Sequence, residues 1–235
     1  MNRSPPDRRT TVQLRRAYGL MRRRFGHQGW WPGETPFEVC VGAILTQNTN
    51  WTNVERAIAN LKAAGVLEPR RLLALPPARL AALIRPAGYF NVKARRLRAF
   101  LEVLVRDFDG DLARLLGGPL EAARVRLLGI HGIGPETADS MLLYAGGQLV
   151  FVVDAYTRRI FARHGWCAPG ADYDTVQGLC TSALNHRPAA GRLDYWQDYH
   201  AQLVAVGKEF CRPRAPRCAE CPLRPLLPES ARLAS

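Results

Sequence analysis

Residues 129–135 read Gly-Ile-His-Gly-Ile-Gly-Pro, and no other stretch restricts the fold of this chain as much. Glycines at this spacing permit backbone angles and close approaches that a side chain would block, so the segment is a tight turn. Pro135 suits the first turn of a following helix, where its missing N–H costs no internal hydrogen bond. The stretch from Arg126 to Ile160 thus reads as a short helix, a glycine hairpin, a second helix, and then an acidic residue, Asp154, opening a third. Amides left open at the start of the second helix, around Gly132 and Gly134, form an anion-binding surface suited to one backbone phosphate. A plain helix-helix turn and a helix-capping aspartate would give the same two features.

The rest of the chain adds only helices. Val12, Leu14, Ala17, Tyr18, Met21 and Phe25 recur at helical spacing, with arginines on the wet side. Residues 37–45 are apolar at nearly every position and suit a buried helix, while Val54, Ala57, Ile58 and Leu61 line one face of the next. The tail after Cys211 carries too much proline and arginine for a helix or a central strand. With no strand-rich segment and short connections, the expected class is all-α.

A net charge of +13, carried by 30 arginines and only three lysines (Lys62, Lys93, Lys208), points to a polyanionic partner and salt-dependent affinity. An anionic membrane surface is the competing reading, but no helix sets a polybasic face against an aromatic-rich one, and no run of 18 uncharged apolar residues is present. The basic N-terminus lacks the apolar core of a secretory signal. A cytoplasmic, nucleoid-associated monomer is expected.

Gly129 to Ala138 resembles the helix-hairpin-helix of the endonuclease III superfamily of base-excision DNA glycosylases, and Val152-Val153-Asp154 resembles the loop bearing that family's catalytic aspartate. The likeness runs over roughly residues 11–225. It implies two helical domains with a DNA-binding cleft between them: residues 38–150 form a six-helix domain with the hairpin, and residues 1–37 join 151–235 in the second. It also implies double-stranded DNA containing damaged bases as partner and hydrolysis of the N-glycosidic bond as reaction. Positive charge develops on the sugar as that bond breaks, and a carboxylate below it stabilises the charge and orients or deprotonates a water. Asp154 takes this role. Bifunctional members place a lysine nucleophile just after the hairpin, where this chain has Glu136. Glutamate forms no imine, so a glycosylase without AP lyase activity is expected.

A base buried in a duplex must be extruded before it can react. Leu45-Thr46-Gln47 resembles the family motif whose glutamine enters the duplex, and Gly88 to Ala94 resembles the loop whose wedge residue is here Tyr89. A buried amide tie for Gln47 and surface packing for Tyr89 are the plainer alternatives. The pair Trp30-Trp31, Trp51 after the glutamine motif, the segment 85–97 and Glu136 together resemble the 3-methyladenine branch called MagIII. That likeness implies a pocket in which Trp30 or Trp31 and Trp51 sandwich a cationic alkylated purine, with Glu136 beside it and Gln202 where the branch has a lysine. The leading expectation is therefore a monofunctional glycosylase for alkylated purines. The alternatives are an endonuclease III-like enzyme for oxidised or mismatched pyrimidines and a DNA-binding module without catalysis.

Lys93, Lys208, Arg212, Arg214 and Arg217 are expected beside DNA phosphates. Cys211-x6-Cys218-x2-Cys221 matches three of the four cysteines that hold a [4Fe-4S] cluster in endonuclease III relatives, and the fourth position, 227, is leucine. A cluster with a non-cysteine or open fourth ligand is expected, with zinc or no metal as alternatives.

Overall fold

The computed structural model describes residues 7–29 and 33–229, and every regular element among them is helical. In chain order these are α1 (Arg8–Phe25), α2 (Pro36–Leu45), α3 (Trp51–Ala63), α4 (Pro69–Ala74), α5 (Pro77–Leu83) and α6 (Phe90–Phe108). Then come α7 (Leu112–Leu116), α8 (Leu120–Leu128), α9 (Pro135–Ser140), α10 (Ala155–Arg163), α11 (Tyr173–Leu184) and α12 (Arg192–Glu209). A 3-10 turn at Arg85–Ala87 leads into α6, and a π-helical turn at Met141–Ala145 extends α9. The chain divides into two units, Pro32–Gln148 and Met1–Trp31 with Leu149–Ser235.

The unit Pro32–Gln148 is built around α2. Thr35 caps it by accepting the Glu38 amide at 3.1 Å, Pro36 starts it, and every residue from Phe37 to Leu45 is buried. A helix apolar on all sides needs partners on all sides, and α3, α6, α9 and the π turn supply them. Each large apolar side chain buried there contributes about 1.5–3 kcal/mol before the entropy of ordering it. The one acidic group in α2, Glu38, is paired with Lys62 Nζ at 2.9 Å. Helix α6 buries Ala94, Leu97, Phe100, Leu101 and Leu104 along one stripe. Across the hairpin, Arg124 of α8 grips the buried Asp139 of α9 through two nitrogens at 2.8 and 3.2 Å.

In the second unit α1, α10, α11 and α12 pack together. Tyr18, Phe151, Tyr195, Trp196 and Tyr199 form its aromatic centre, with ring centroids 4.7–6.0 Å apart. Asp198 of α12, fully buried, accepts from Tyr18 Oη at 2.7 Å and from the Gln28 amide at 2.8 Å, which fastens α1 and the segment after it. Helix α10 approaches α12 where a Cβ on Gly207 would lie 2.3 Å from the Tyr156 ring, so only glycine permits that contact.

Candidate active site

Asp154 stands at the N-cap of α10 in extended conformation. Its Oδ1 accepts the Thr157 amide at 2.7 Å, which satisfies one of the four open amides of the helix start. Its Oδ2 is not used by the cap and faces His200 Nε2 of α12 at 3.6 Å, an ion-pair distance beyond hydrogen-bond reach. The side chain keeps 12% of its surface accessible. Burial alone would raise the acid's pKa, but the His200 imidazole and the Thr157 amide outweigh it and hold it below the usual 3.8. The carboxyl group is therefore a carboxylate at neutral pH, with one oxygen fixed and the other directed away from the cap. The capping role and the proposed chemistry are compatible because they use different oxygens.

The hairpin shows why Gly132 is required. Gly132 has φ +84°, and a Cβ there would lie 2.2 Å from Arg96 Cγ. Its carbonyl accepts from Gln47 Nε2 at 3.1 Å, which also donates to Thr137 Oγ1 at 3.0 Å, and Arg96 Nη1 donates to Gln47 Oε1 at 2.5 Å. The structure thus brings Gln47, the hairpin and α6 together. Gly134 caps α9 with no side-chain bond to its amides, and no heavy atom lies within 4 Å of where its Cβ would be. Glu136 follows in the first turn of α9 and is exposed. Tyr89 is 71% exposed at φ +46°, presented on its turn rather than packed.

The base-pocket residues are not gathered in this way. Trp30 and Trp31 lie outside the described residues. Trp51 begins α3, half-buried. Gln202 is wholly buried, and its amide nitrogen donates to the Gly26 carbonyl at 2.5 Å, so it ties α12 to the end of α1. A cavity of about 370 Å³ in the unit Pro32–Gln148 is lined by Phe37, Leu112, Leu116 and Ala145 without a titratable side chain, which suits no acid-base step.

Lys93 is not a surface cation. It is 1% exposed, and its Nζ donates to the carbonyls of Leu45 at 2.8 Å and Ala87 at 2.7 Å. Burial, with Arg96 nearby, lowers its pKa to about 8. The contact expected with a phosphate is closed because position 93 falls on the buried stripe of α6. Lys208, Arg212, Arg214 and Arg217 are exposed, and Arg217 pairs with Glu220 at 3.0 Å.

The expected iron-sulfur cluster is also corrected. Among the described residues, no three His, Cys, Asp or Glu side chains are grouped so as to hold a metal ion. Cys211 is buried with Sγ accepting from Arg163 Nη1 at 3.3 Å, burial pushes the Cys221 thiol up to about 11, and Leu227 closes the fourth position as a buried apolar side chain. With a leucine at the fourth position and Arg163 on Cys211 Sγ, the three thiols lack a complete ligand set. Arginines hold the loop instead. Arg159 donates to the Cys211 carbonyl at 2.6 Å and to Gly207 at 3.3 Å, and Arg163 donates to the carbonyls of Arg212 at 2.7 Å and Pro213 at 3.1 Å. Both stand on α10, the helix that Asp154 caps.

Sequence reasoning missed His200, Arg96, Arg159 and Arg163. No local signal marks them, since Arg96 meets Gln47 across 49 residues and Arg163 meets Cys211 across 48.

Comparison with known proteins bears on the same residues. The family profile of HhH-GPD superfamily base excision DNA repair proteins matches residues 41–186. A provisionally named DNA repair glycosylase of Methanocaldococcus jannaschii is 44% identical over 209 residues, 88% of this chain and 92% of that one. Endonuclease III of Thermotoga maritima is 27% identical over 189 residues, covering 80% and 81% of the two chains. A solved non-covalent complex of endonuclease III with DNA shares the fold, with a TM-score of 0.79 at 22% identity over 96% of this chain and 99% of that one. The H. pylori MagIII structure gives a TM-score of 0.73 at 28% identity, covering 85% and 97%. The named relatives overturn the MagIII affiliation and favour the endonuclease III branch.

Proposed function

Because the chain belongs to the HhH-GPD superfamily of base excision DNA repair proteins and is a DNA N-glycosylase, we propose that it removes oxidised or mismatched pyrimidines from duplex DNA by Asp154-assisted hydrolysis and leaves the strand uncut. The observation that carries the mechanism is the divided carboxylate of Asp154. Oδ1 is committed to the cap, so Oδ2 has a fixed direction from which to stabilise a sugar cation or to take a proton from water. Its lowered pKa means that no proton need be lost before it acts.

The pyrimidine class rests on kinship with endonuclease III. The hydrolytic course rests on Glu136 and on the surroundings of Lys62 and Lys93. Glu136 occupies the position of the lyase amine, Lys62 is held protonated by the hydrogen bonds it donates to Glu34 and Glu38, and Lys93 is enclosed. An amine nucleophile must be neutral and reachable, which neither described partner set allows. Gly132 and Gly134 at the hairpin, with Lys208, Arg212, Arg214 and Arg217 in the other unit, would meet backbone phosphates. Gln47 and Tyr89 would enter the duplex when the base leaves it, and Trp51 and Glu136 would border the extruded base.

A panel of single-lesion duplexes, with base release and strand nicking scored separately, tests this reading. We expect release of oxidised or mismatched pyrimidines, no nicking before heat or alkali, and a fall of at least about a hundredfold in release for Asp154→Asn. Release of alkylated purines alone would overturn the substrate class. Borohydride trapping of a covalent complex would overturn the hydrolytic course, and full activity in Asp154→Asn would remove the carboxylate from the mechanism.

A further inference from the structure

Lys93 is a buried cation with no carboxylate among its hydrogen-bond partners. Its two acceptors are both carbonyls at the ends of helical turns, Leu45 at the close of α2 and Ala87 at the close of the 3-10 turn. Such carbonyls lack intrahelical donors and carry the negative end of the helix dipole, so a cation there satisfies two orphan acceptors at once. An ammonium buried without such partners would be strongly unfavourable.

The position of these carbonyls gives the bridge its meaning. Gln47 lies two residues beyond Leu45, and Tyr89 lies two residues beyond Ala87. Tyr89 makes no side-chain N-cap bond to α6 and sits in the left-handed region, where a tyrosine is strained. One turn further along α6, Arg96 reaches the Gln47 amide, and that amide reaches the Gly132 carbonyl of the hairpin. Lys93 and Arg96 thus stand on the same edge of α6 and connect the glutamine turn, the tyrosine turn and the hairpin.

We propose that Lys93 is a positioning residue that locks the Gln47 turn to the Tyr89 turn, so that the two side chains entering the duplex are placed as one rigid pair. It touches neither base nor phosphate and acts through the two backbones. The proposal rests on the reading of Gln47 and Tyr89 as duplex-entering residues given above. It explains why a lysine occupies a stripe position on α6 that otherwise carries Ala94, Leu97, Phe100 and Leu101.

Lys93→Met keeps the length of the stem and removes both donors. Excision of one lesion from duplex and from single-stranded DNA separates placement from chemistry, because a single strand has no gap to fill. The ratio of duplex to single-strand kcat/KM should fall about tenfold in Lys93→Met, and Lys93→Arg, which retains donors, should recover part of it. An unchanged ratio would overturn the proposal. Since Lys93→Met could fail to fold, a second measurement leaves Lys93 in place: duplex excision by Gln47→Ala, Tyr89→Ala and the double variant. A rigid pair predicts strong non-additivity, the double variant losing little beyond the worse single one. Two effective single variants whose losses multiply would overturn the proposal alone. Single variants without effect would overturn the duplex-entry reading and the proposal with it.

Discussion

The hairpin at residues 129–138 and the cysteine loop at 211–221 are both clear matches to a family pattern, yet the structure treats them differently. In the hairpin a residue type is physically required at Gly132. Gly132 adopts φ +84° against the Arg96 side chain, Gly134 leaves the start of α9 open, and Asp139 is gripped by Arg124. In the cysteine loop, the contacts run through backbone carbonyls to Arg159 and Arg163, and only one thiol enters them. A motif foretells a site when the geometry would fail without those residues. A motif whose surroundings have found another way to hold the backbone foretells less.

The contrast is sharpened most by Gly132→Ala. Alanine in the left-handed region costs about 1 kcal/mol, and the Arg96 stem must also move, so a loss of about 2–3 kcal/mol in stability is expected. Because the Gly132 carbonyl accepts from Gln47, affinity for duplex DNA at fixed salt should fall at least about tenfold as well. Denaturant unfolding and a binding isotherm check both. A variant with unchanged stability and affinity would mean that the hairpin glycine is no more required than the cysteines.

An intermediate effect is expected for Arg163→Ala, which removes donors to Cys211 Sγ and to the carbonyls of Arg212 and Pro213. At a net worth of about 1 kcal/mol for a hydrogen bond in folding, the global loss should be about 1–2 kcal/mol. The local effect should be larger. Amide exchange in residues 212–217 should rise well above that elsewhere in α10 and α12, and duplex affinity should fall as Arg212 and Arg214 lose their fixed place. Unchanged exchange in the loop would show that the arginines do not hold it.

The same contrast explains how much could be read from the sequence. The all-α class, the hairpin and the Asp154 cap rest on spacing within a few residues, and the chain displays them directly. The pairing of Asp154 with His200, of Gln47 with Arg96 and of Cys211 with Arg163 arises only when distant helices pack, and no periodicity encodes it. Lys93 is different, because its signal was present. It lies four residues before Leu97 and seven before Phe100, on the apolar stripe, and the stripe places it inside. No helix among the described residues is long and apolar enough to cross a bilayer. The metal expectation failed because spacing alone does not report whether the thiols are grouped in space or whether a fourth ligand faces them.

The smallest effect should come from the residues that looked most diagnostic. Cys218 and Cys221 are half-buried, and the Cys221 thiol, pushed up to about 11 by burial, is neutral at physiological pH. A neutral thiol behaves as a small hydrophobe, and serine of similar shape replaces it at modest cost. Cys218→Ser with Cys221→Ser should therefore shift stability by no more than about 0.5–1 kcal/mol, and base release should be kept. Treatment of the wild-type protein with a strong chelator should leave its melting temperature unchanged, since binding to the native state alone would make that temperature depend on the metal. A loss of several kcal/mol in the double serine variant, or a melting temperature lowered by chelation, would mean that the thiols hold the loop after all. The arginine contacts from α10 would then be a supplement to the cysteines and not their replacement.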